Sequence, residues 1–274
     1  MNEKLLVLGR GIGQIMFQNN AFSGLLMLIG IACNSWILAL LALAGNIVSL
    51  FTAILAKYPQ KDIHDGLYGF NGTLVGIAVG VFLEINSWSV LLLVLGAALS
   101  TWITHLFSRQ DKLPGYTAPF ILSVWILLAL CHYLFPSLLL PSTETVTEQV
   151  PDLPRAFSLN IGQVMFQDHV LSGLLFLAAI LVNSRLNAIY TLWGAALPLA
   201  LALFPATNMA VFNPGLLGYN GVLCAIALGS KSVKGGDTGN GGDIALHRIA
   251  NRRYQVRVND INRPICTCCV GDQS

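Results

Sequence analysis

Apolar residues dominate four long stretches of the chain, and short polar or Gly- and Pro-rich segments separate them. The stretches cover residues 23–55, 90–106, 120–140 and 172–204. Each approaches or exceeds the ~20 residues that cross a bilayer as a helix, and some are long enough for two short or tilted spans. The pattern predicts an all-α membrane protein that crosses the membrane several times.

Composition supports this interpretation. Hydrophobic residues make up 55% of the 274 residues and charged residues 10%, whereas soluble domains have about 25% charged residues. The composition therefore argues against a water-soluble fold.

An internal repeat organises the chain. Residues 12–18, 23–26 and 66–72 each recur 149 positions later, as residues 161–167, 172–175 and 215–221. Three separated blocks in one register are not explained by ordinary packing of small residues between helices, because packing alone would not keep Gln, Phe and Asn in register. Transporters are often built from two related halves, and the sequence predicts that organisation here.

Charge distribution predicts how the two halves are oriented. Lys4 and Arg10 favour a cytoplasmic start, whereas residues 141–154 carry acidic side chains and no Lys or Arg. An odd number of spans in the first half follows, so the halves should be inverted relative to each other. We therefore expect a first transmembrane repeat at 1–140, an exposed linker at 141–156 and a second, incomplete repeat at 157–229.

Two kinds of segment should interrupt regular helices. The repeated block Gly-Leu-x-Gly-aromatic-Asn-Gly has glycines that permit close approach and an Asn that can satisfy backbone groups at the start of a half-helix. The second kind of segment contains Pro114 and Pro119, which remove two backbone hydrogen-bond donors on either side of Thr117. The plainer interpretations are a Gly-rich turn between two spans and a helix start after a cytoplasmic loop.

These motifs resemble those of the urea transporter family, in its bacterial form. The stretch Leu-Pro-x-x-Thr-x-Pro-Phe, here residues 113–120, is similar to the family signature, and so are the Gln-x-Met-Phe-Gln and Gly-Leu-x-Gly-aromatic-Asn-Gly blocks. The resemblance implies an inverted repeat with re-entrant pore half-helices and three subunits per assembly. It also implies a substrate site formed by Gln14, Phe17, Phe70, Leu74, Thr117, Gln163, Phe166, Tyr219 and Leu223.

The implied function is passive, selective permeation of urea through a channel in a cell inner membrane, without a cofactor, a metal or covalent chemistry. Urea is flat and neutral, so aromatic faces can sandwich it while oxygen acceptors replace its water. The expected partners are urea, membrane lipid and two further copies of the chain, with no nucleic acid. The alternatives are a channel for another small neutral solute (an amide, water or ammonia), or a truncated membrane protein without function.

The repeat stops at Gly229. The second Leu-Pro-x-x-Thr-x-Pro-Phe expected near 262–269 is absent, and residues 230–274 are basic and Gly-rich. This tail resembles a frameshifted or spliced segment more than an evolved domain, and its composition predicts disorder. Two functional alternatives stay open: contact with nucleic acid or anionic lipid through its arginines, and a metal site at Cys266, Cys268 and Cys269. The chain as given is expected to be a poor channel or none.

Overall fold

The structure is a computed structural model that describes residues 3–109, 115–141, 150–204 and 207–232. Within these ranges the regular structure is helical, and the one β feature is an isolated bridge between Leu83 and Leu139. The all-α prediction is confirmed. Most of the predicted tail, and the middle of the predicted linker, lie outside these ranges.

Twelve α-helices are formed by the described residues, seven before the linker and five after it. The first seven are α1 Glu3–Gly13, α2 Ala21–Asn34, α3 Trp36–Leu55, α4 Gln60–His64, α5 Gly69–Phe82, α6 Ser87–Arg109 and α7 Ala118–Leu134. The last five are α8 Leu153–Gly162, α9 Val170–Asn183, α10 Arg185–Ala196, α11 Met209–Phe212 and α12 Tyr219–Ser232. When α1 to α5 are shifted by 149 positions, their first residues fall within one residue of those of α8 to α12.

Two helices, α3 and α6, are long and apolar enough to cross a membrane singly. Two bent pairs also qualify if each pair counts as one span: α1 with α2, bent by 73°, and α8 with α9, bent by 71°. Helices α5, α7 and α12 are apolar but shorter than a full span, which fits half-helices that enter the membrane without crossing it. The described part of the chain thus has between two and four spans by length and composition.

The two halves pack through α2 and α9, which run antiparallel. Near the start of α2, the Ser23 hydroxyl donates to the Ala179 carbonyl at 2.7 Å; near its end, Gly30 accepts from the Ser172 hydroxyl at 2.7 Å. Each bond is the counterpart of the other under the 149-residue offset, which is the signature of two-fold symmetry. Because the two copies run in opposite directions, the repeat is inverted, as predicted.

One buried amide occupies the same place in both halves but comes from different helices. In the first half Asn46 of α3 lies against Gly11 and Gly69 and donates to the Leu8 carbonyl at 3.0 Å. In the second half the position matching Asn46 is Ala195, and Asn160 of α8 lies against Gly218 and donates to the Ala195 carbonyl at 2.8 Å. An Asn amide thus packs against the matching glycine, Gly69 or Gly218, in both halves, but it comes from α3 in the first half and from α8 in the second.

The halves also differ in the helix that follows the bent pair: α3 is continuous, whereas its counterpart α10 is not. Helix α10 ends at Ala196 and continues as a tighter 3-10 turn over Leu197–Leu203. Pro198 accounts for the difference, because it has no backbone N–H to donate to the preceding turn. The positions paired by the offset with α6 and α7 lie beyond residue 232, outside the described residues.

Candidate functional site

Helix α1 and the 3-10 turn that extends it end inside the protein at an unusual residue. The N–H of Phe17 donates to the Gln14 carbonyl at 3.0 Å, and that of Gln18 to the Gly13 carbonyl at 2.9 Å. This pair of bonds forms a Schellman motif, in which the residue in the left-handed conformation is usually Gly. Here it is Phe17, with φ of 61°.

The second half repeats this turn bond for bond. Phe166 has φ of 58°, its N–H donates to the Gln163 carbonyl at 3.1 Å, and the N–H of Gln167 donates to the Gly162 carbonyl at 3.1 Å. The left-handed conformation costs an L-residue roughly 1–2 kcal/mol, and it is rare for a bulky side chain. Strain of this kind, present twice and symmetrically, is typical of a functional position.

The two predicted glutamines lie at the start of these turns. Gln14 is buried and donates its amide N–H to the Asp65 carbonyl at 2.9 Å, so its side chain is tied to the segment before α5. The turn of Gln14 packs on α5, which carries Phe70, and the turn of Gln163 packs on α12, which carries Tyr219. The structure therefore brings each predicted Gln and Phe near the helix that carries their predicted aromatic partner.

The segment that begins α7 lies between the two strained phenylalanines. The Tyr116 ring meets the Phe17 ring edge-on with centroids 5.9 Å apart, and the Phe120 ring meets the Phe166 ring with centroids 6.0 Å apart. Thr117 lies between these two contacts, is partly exposed, and makes no capping hydrogen bond with its side chain. A single short segment thus connects aromatic groups from both halves.

Asn71 of the first Gly-rich block holds this segment in position. Its oxygen accepts from the Phe120 N–H at 3.2 Å, and its amide N–H groups donate to the Thr104 hydroxyl at 3.0 Å and to the Tyr116 carbonyl at 3.4 Å. The prediction that this Asn satisfies backbone groups at the start of a half-helix is confirmed for α7. Its counterpart Asn220 is exposed.

The apolar members of the predicted site border a common core. Leu74 lies within that core, and five others are partly buried against it: Phe17, Phe70, Phe166, Tyr219 and Leu223. The direct ring contact of Phe17, however, is with Tyr116. A face-to-face arrangement of Phe17 and Phe70 stays a prediction.

Four residues at this site were missed by sequence reasoning. Tyr116 and Phe82 contact the strained phenylalanines, Phe82 meeting Phe166 at 6.0 Å. Gln18 and Gln167 are completely buried directly after them. The two glutamines recur in the repeated block, which is a usable signal; the ring contacts join residues far apart in sequence and have no such signal.

All nine predicted site residues are neutral, and a group of ionisable side chains precedes α5. Tyr68, just before Phe70, is buried, and its hydroxyl lies 3.3 Å from Nδ1 of His105. Burial, with a smaller contribution from Asp62, raises the pKa of Tyr68, and burial also raises the pKa of Asp62, beside Asp65. The raised pKa keeps the Tyr68 phenol protonated, so its hydroxyl can share a hydrogen bond with His105.

The fold and this site together define a class: an α-helical, multi-pass membrane protein built from an inverted repeat, with broken helices meeting at its centre. Residues 5–236 match the sequence family described as urea transporter. The chain belongs to the urea transporter family.

Three mammalian proteins illustrate the similarity. Urea transporter 1 of Rattus norvegicus is 32% identical over 240 residues, that of Capra hircus 32% identical over 236 residues, and that of Ovis aries 31% identical over 236 residues. Each alignment covers 80% of this chain and 61% of the relative. The chain therefore spans less than two thirds of the length of these relatives.

The two copies of the Gly-rich block give a matched pair of variants. Replacing Asn71 by Ala removes the cap of α7 and two further hydrogen bonds, so we expect a loss of ~1–2 kcal/mol in the free energy of unfolding. Replacing the exposed Asn220 by Ala should change it by less than about 0.5 kcal/mol. Thermal unfolding of the purified variants in detergent measures both; equal losses would contradict the role of Asn71.

The backbone strain at Phe17 can be measured separately from its ring. Phe17→Gly and Phe17→Ala both remove the ring, but only Gly relieves the left-handed conformation, so Phe17→Gly should be more stable than Phe17→Ala by ~1 kcal/mol. In the helical interior at Phe51, the order should reverse by a similar ~1 kcal/mol, because Gly is the poorer helix former. If Ala is the more stable replacement at both positions, Phe17 is not strained.

Proposed function

We propose that this chain provides a passive, selective pathway for urea across a membrane. The observation that carries the proposal is the arrangement of Phe17 and Phe166, two strained aromatic residues from opposite halves, on either side of the segment that bears Thr117. The family match and the names of the relatives support urea as the solute. Aromatic faces and edge acceptors suit a flat molecule with four N–H donors.

Desolvation is the barrier that such a pathway has to lower. Moving an amide-like molecule from water into an apolar interior without a partner costs ~4–8 kcal/mol. In the proposed pathway, the oxygens of Gln14 and Gln163 and the Thr117 hydroxyl accept hydrogen bonds from the solute in turn. A succession of similar sites allows release as well as entry, whereas one strong site would trap the solute.

Selectivity follows from the same groups. The nine residues proposed to line the pathway (Gln14, Phe17, Phe70, Leu74, Thr117, Gln163, Phe166, Tyr219 and Leu223) offer no charge to compensate a bare ion. The proposed transport is passive: urea moves down its concentration gradient, with no covalent step and no coupled ion. We further propose a homotrimer, surrounded by lipid, in a bacterial inner membrane, as in the family that the motifs resemble.

Two alternatives have support of their own. The neutral lining is equally compatible with another small amide, with water or with ammonia. A protein without transport activity is favoured by the difference between the two Gly-rich blocks, because Asn71 is buried and bonded whereas Asn220 is exposed. Both alternatives are separated from urea transport by direct measurement of flux.

The test is solute uptake into proteoliposomes that contain the full chain. We expect urea to enter faster than into protein-free vesicles and faster than formamide or acetamide. Faster entry of another solute would identify that solute as the substrate. Entry of all solutes at the protein-free rate would contradict the proposed function and support the non-conducting alternative.

Thr117→Val tests the proposed acceptor at the centre of the pathway. The substitution keeps the size of the side chain and removes its hydroxyl, and loss of one hydrogen bond to a desolvated solute should lower the urea rate roughly five- to 150-fold. Thr52→Val is the matched control, because the Thr52 hydroxyl bonds within α3 to the Val48 carbonyl. An unchanged rate in a well-folded Thr117→Val protein would remove this hydroxyl from the mechanism.

A further inference from the structure

Gln18 and Gln167 follow the two strained phenylalanines and are completely buried. Each folds back on its own turn: the Gln18 amide N–H donates to the Met16 carbonyl at 2.6 Å, and that of Gln167 to the Met165 carbonyl at 2.5 Å. A buried side-chain amide has to satisfy both its N–H groups and its oxygen. The oxygen of each Gln therefore needs a donor from elsewhere.

That donor comes from the opposite half in both cases. Asn183, the last residue of α9, donates to the Gln18 oxygen at 2.7 Å, and Asn34, the last residue of α2, donates to the Gln167 oxygen at 3.1 Å. Each Asn is followed by a Ser that caps the next helix: Ser35 caps α3 and Ser184 caps α10. Because each Asn ends one helix and lies one residue before the start of the next, its backbone is held in place, and this positions its side chain to donate.

We propose that Gln18 and Gln167 are positioning residues through which each half orients the aromatic side chain of the other half's turn. The path is short: Asn183 holds the Gln18 oxygen, the Gln18 amide holds the Met16 carbonyl, and Phe17 lies between Met16 and Gln18. The same path in the other half joins Asn34 to Phe166. Orientation of the two aromatic groups is thus set across the interface between the halves.

The functional consequence of this coupling rests on the proposed urea pathway, whereas the coupling itself does not. If Phe17 and Phe166 face the solute, a change in the orientation of either ring changes how well a solute wider than urea fits. Gln18, Gln167, Asn34 and Asn183 then determine selectivity without touching the solute. Two different measurements separate the coupling from the transport.

The first measurement is fluorine NMR of the full chain labelled with fluorophenylalanine, with the Phe17 and Phe166 signals assigned from Phe17→Leu and Phe166→Leu. Asn183→Leu removes the donor to Gln18 and should shift or broaden the Phe17 signal while leaving the Phe166 signal in place. Asn34→Leu should have the opposite, crossed effect. Where a Leu variant does not fold, the smaller Asn183→Ser or Asn34→Ser variant should give the same crossed result.

Ser23→Ala and Ser172→Ala are the matched controls, because they also remove hydrogen bonds between the halves, but their hydroxyls bond to carbonyls of α9 and α2 and not to either turn. We expect both signals to stay unmoved in these variants. Unmoved signals in both Asn variants, or equal shifts in the Ser controls, would overturn the proposal and leave the amides as general interface bonds.

The second measurement is the ratio of urea to N-methylurea permeability in proteoliposomes. The Asn variants should change this ratio by about fivefold, the effect of one lost hydrogen bond, and the Ser controls should keep it. An unchanged ratio with crossed NMR shifts would confirm the coupling and contradict its role in selectivity. If the unmodified chain moves no urea, the proposed function fails, and the crossed NMR pattern still decides the coupling.

Discussion

In each half of the protein a helix ends inside the apolar core, and this constraint explains the turn that follows the helix and the hydrogen bonds between the halves. Met16 and Met165 are completely buried, so the last carbonyls of both helices have no water to bond. The Schellman turn satisfies some of them, and the amides of Gln18 and Gln167 satisfy the methionine carbonyls. The bonds that close each helix therefore also hold a phenylalanine in the left-handed conformation and connect the two halves.

The site draws on both halves but is built around an element described only in the first. Helix α7 begins between Phe17 and Phe166, and Asn71 fixes its first turn. A half-helix that starts in the interior needs partners for its first N–H groups, and one buried amide supplies a partner for Phe120. The same amide bonds the Tyr116 carbonyl, so a single side chain sets both the start of the helix and the aromatic residue before it.

Much of this organisation could be predicted from sequence because it is repeated. The blocks that share one offset predicted two related halves, the charge distribution predicted their inversion, and the Asn of the Gly-rich block predicted the capping of a half-helix. The left-handed phenylalanines could not be predicted, because backbone propensity assigns such positions to Gly. The contacts of Phe17 with Tyr116 and of Phe166 with Phe82 could not be predicted from sequence either, because they depend on how distant segments pack. Residues after 232 lie outside the described chain, so the predictions for the tail stay predictions.

The amide that Asn46 supplies in one half and Asn160 in the other has an evolutionary consequence. Gly11 and Asn46 in the first half correspond to Asn160 and Ala195 in the second, so the halves differ at both members of the pair. Two amides would collide in this space, whereas two small residues would remove the side-chain hydrogen bond to the Leu8 or Ala195 carbonyl. A replacement at only one position of the pair is therefore expected to destabilise its half, and the matching replacement at the other position to restore it, which is the pattern called sign epistasis. The two halves thus show, within one molecule, the two compatible pairings of one amide with one small residue.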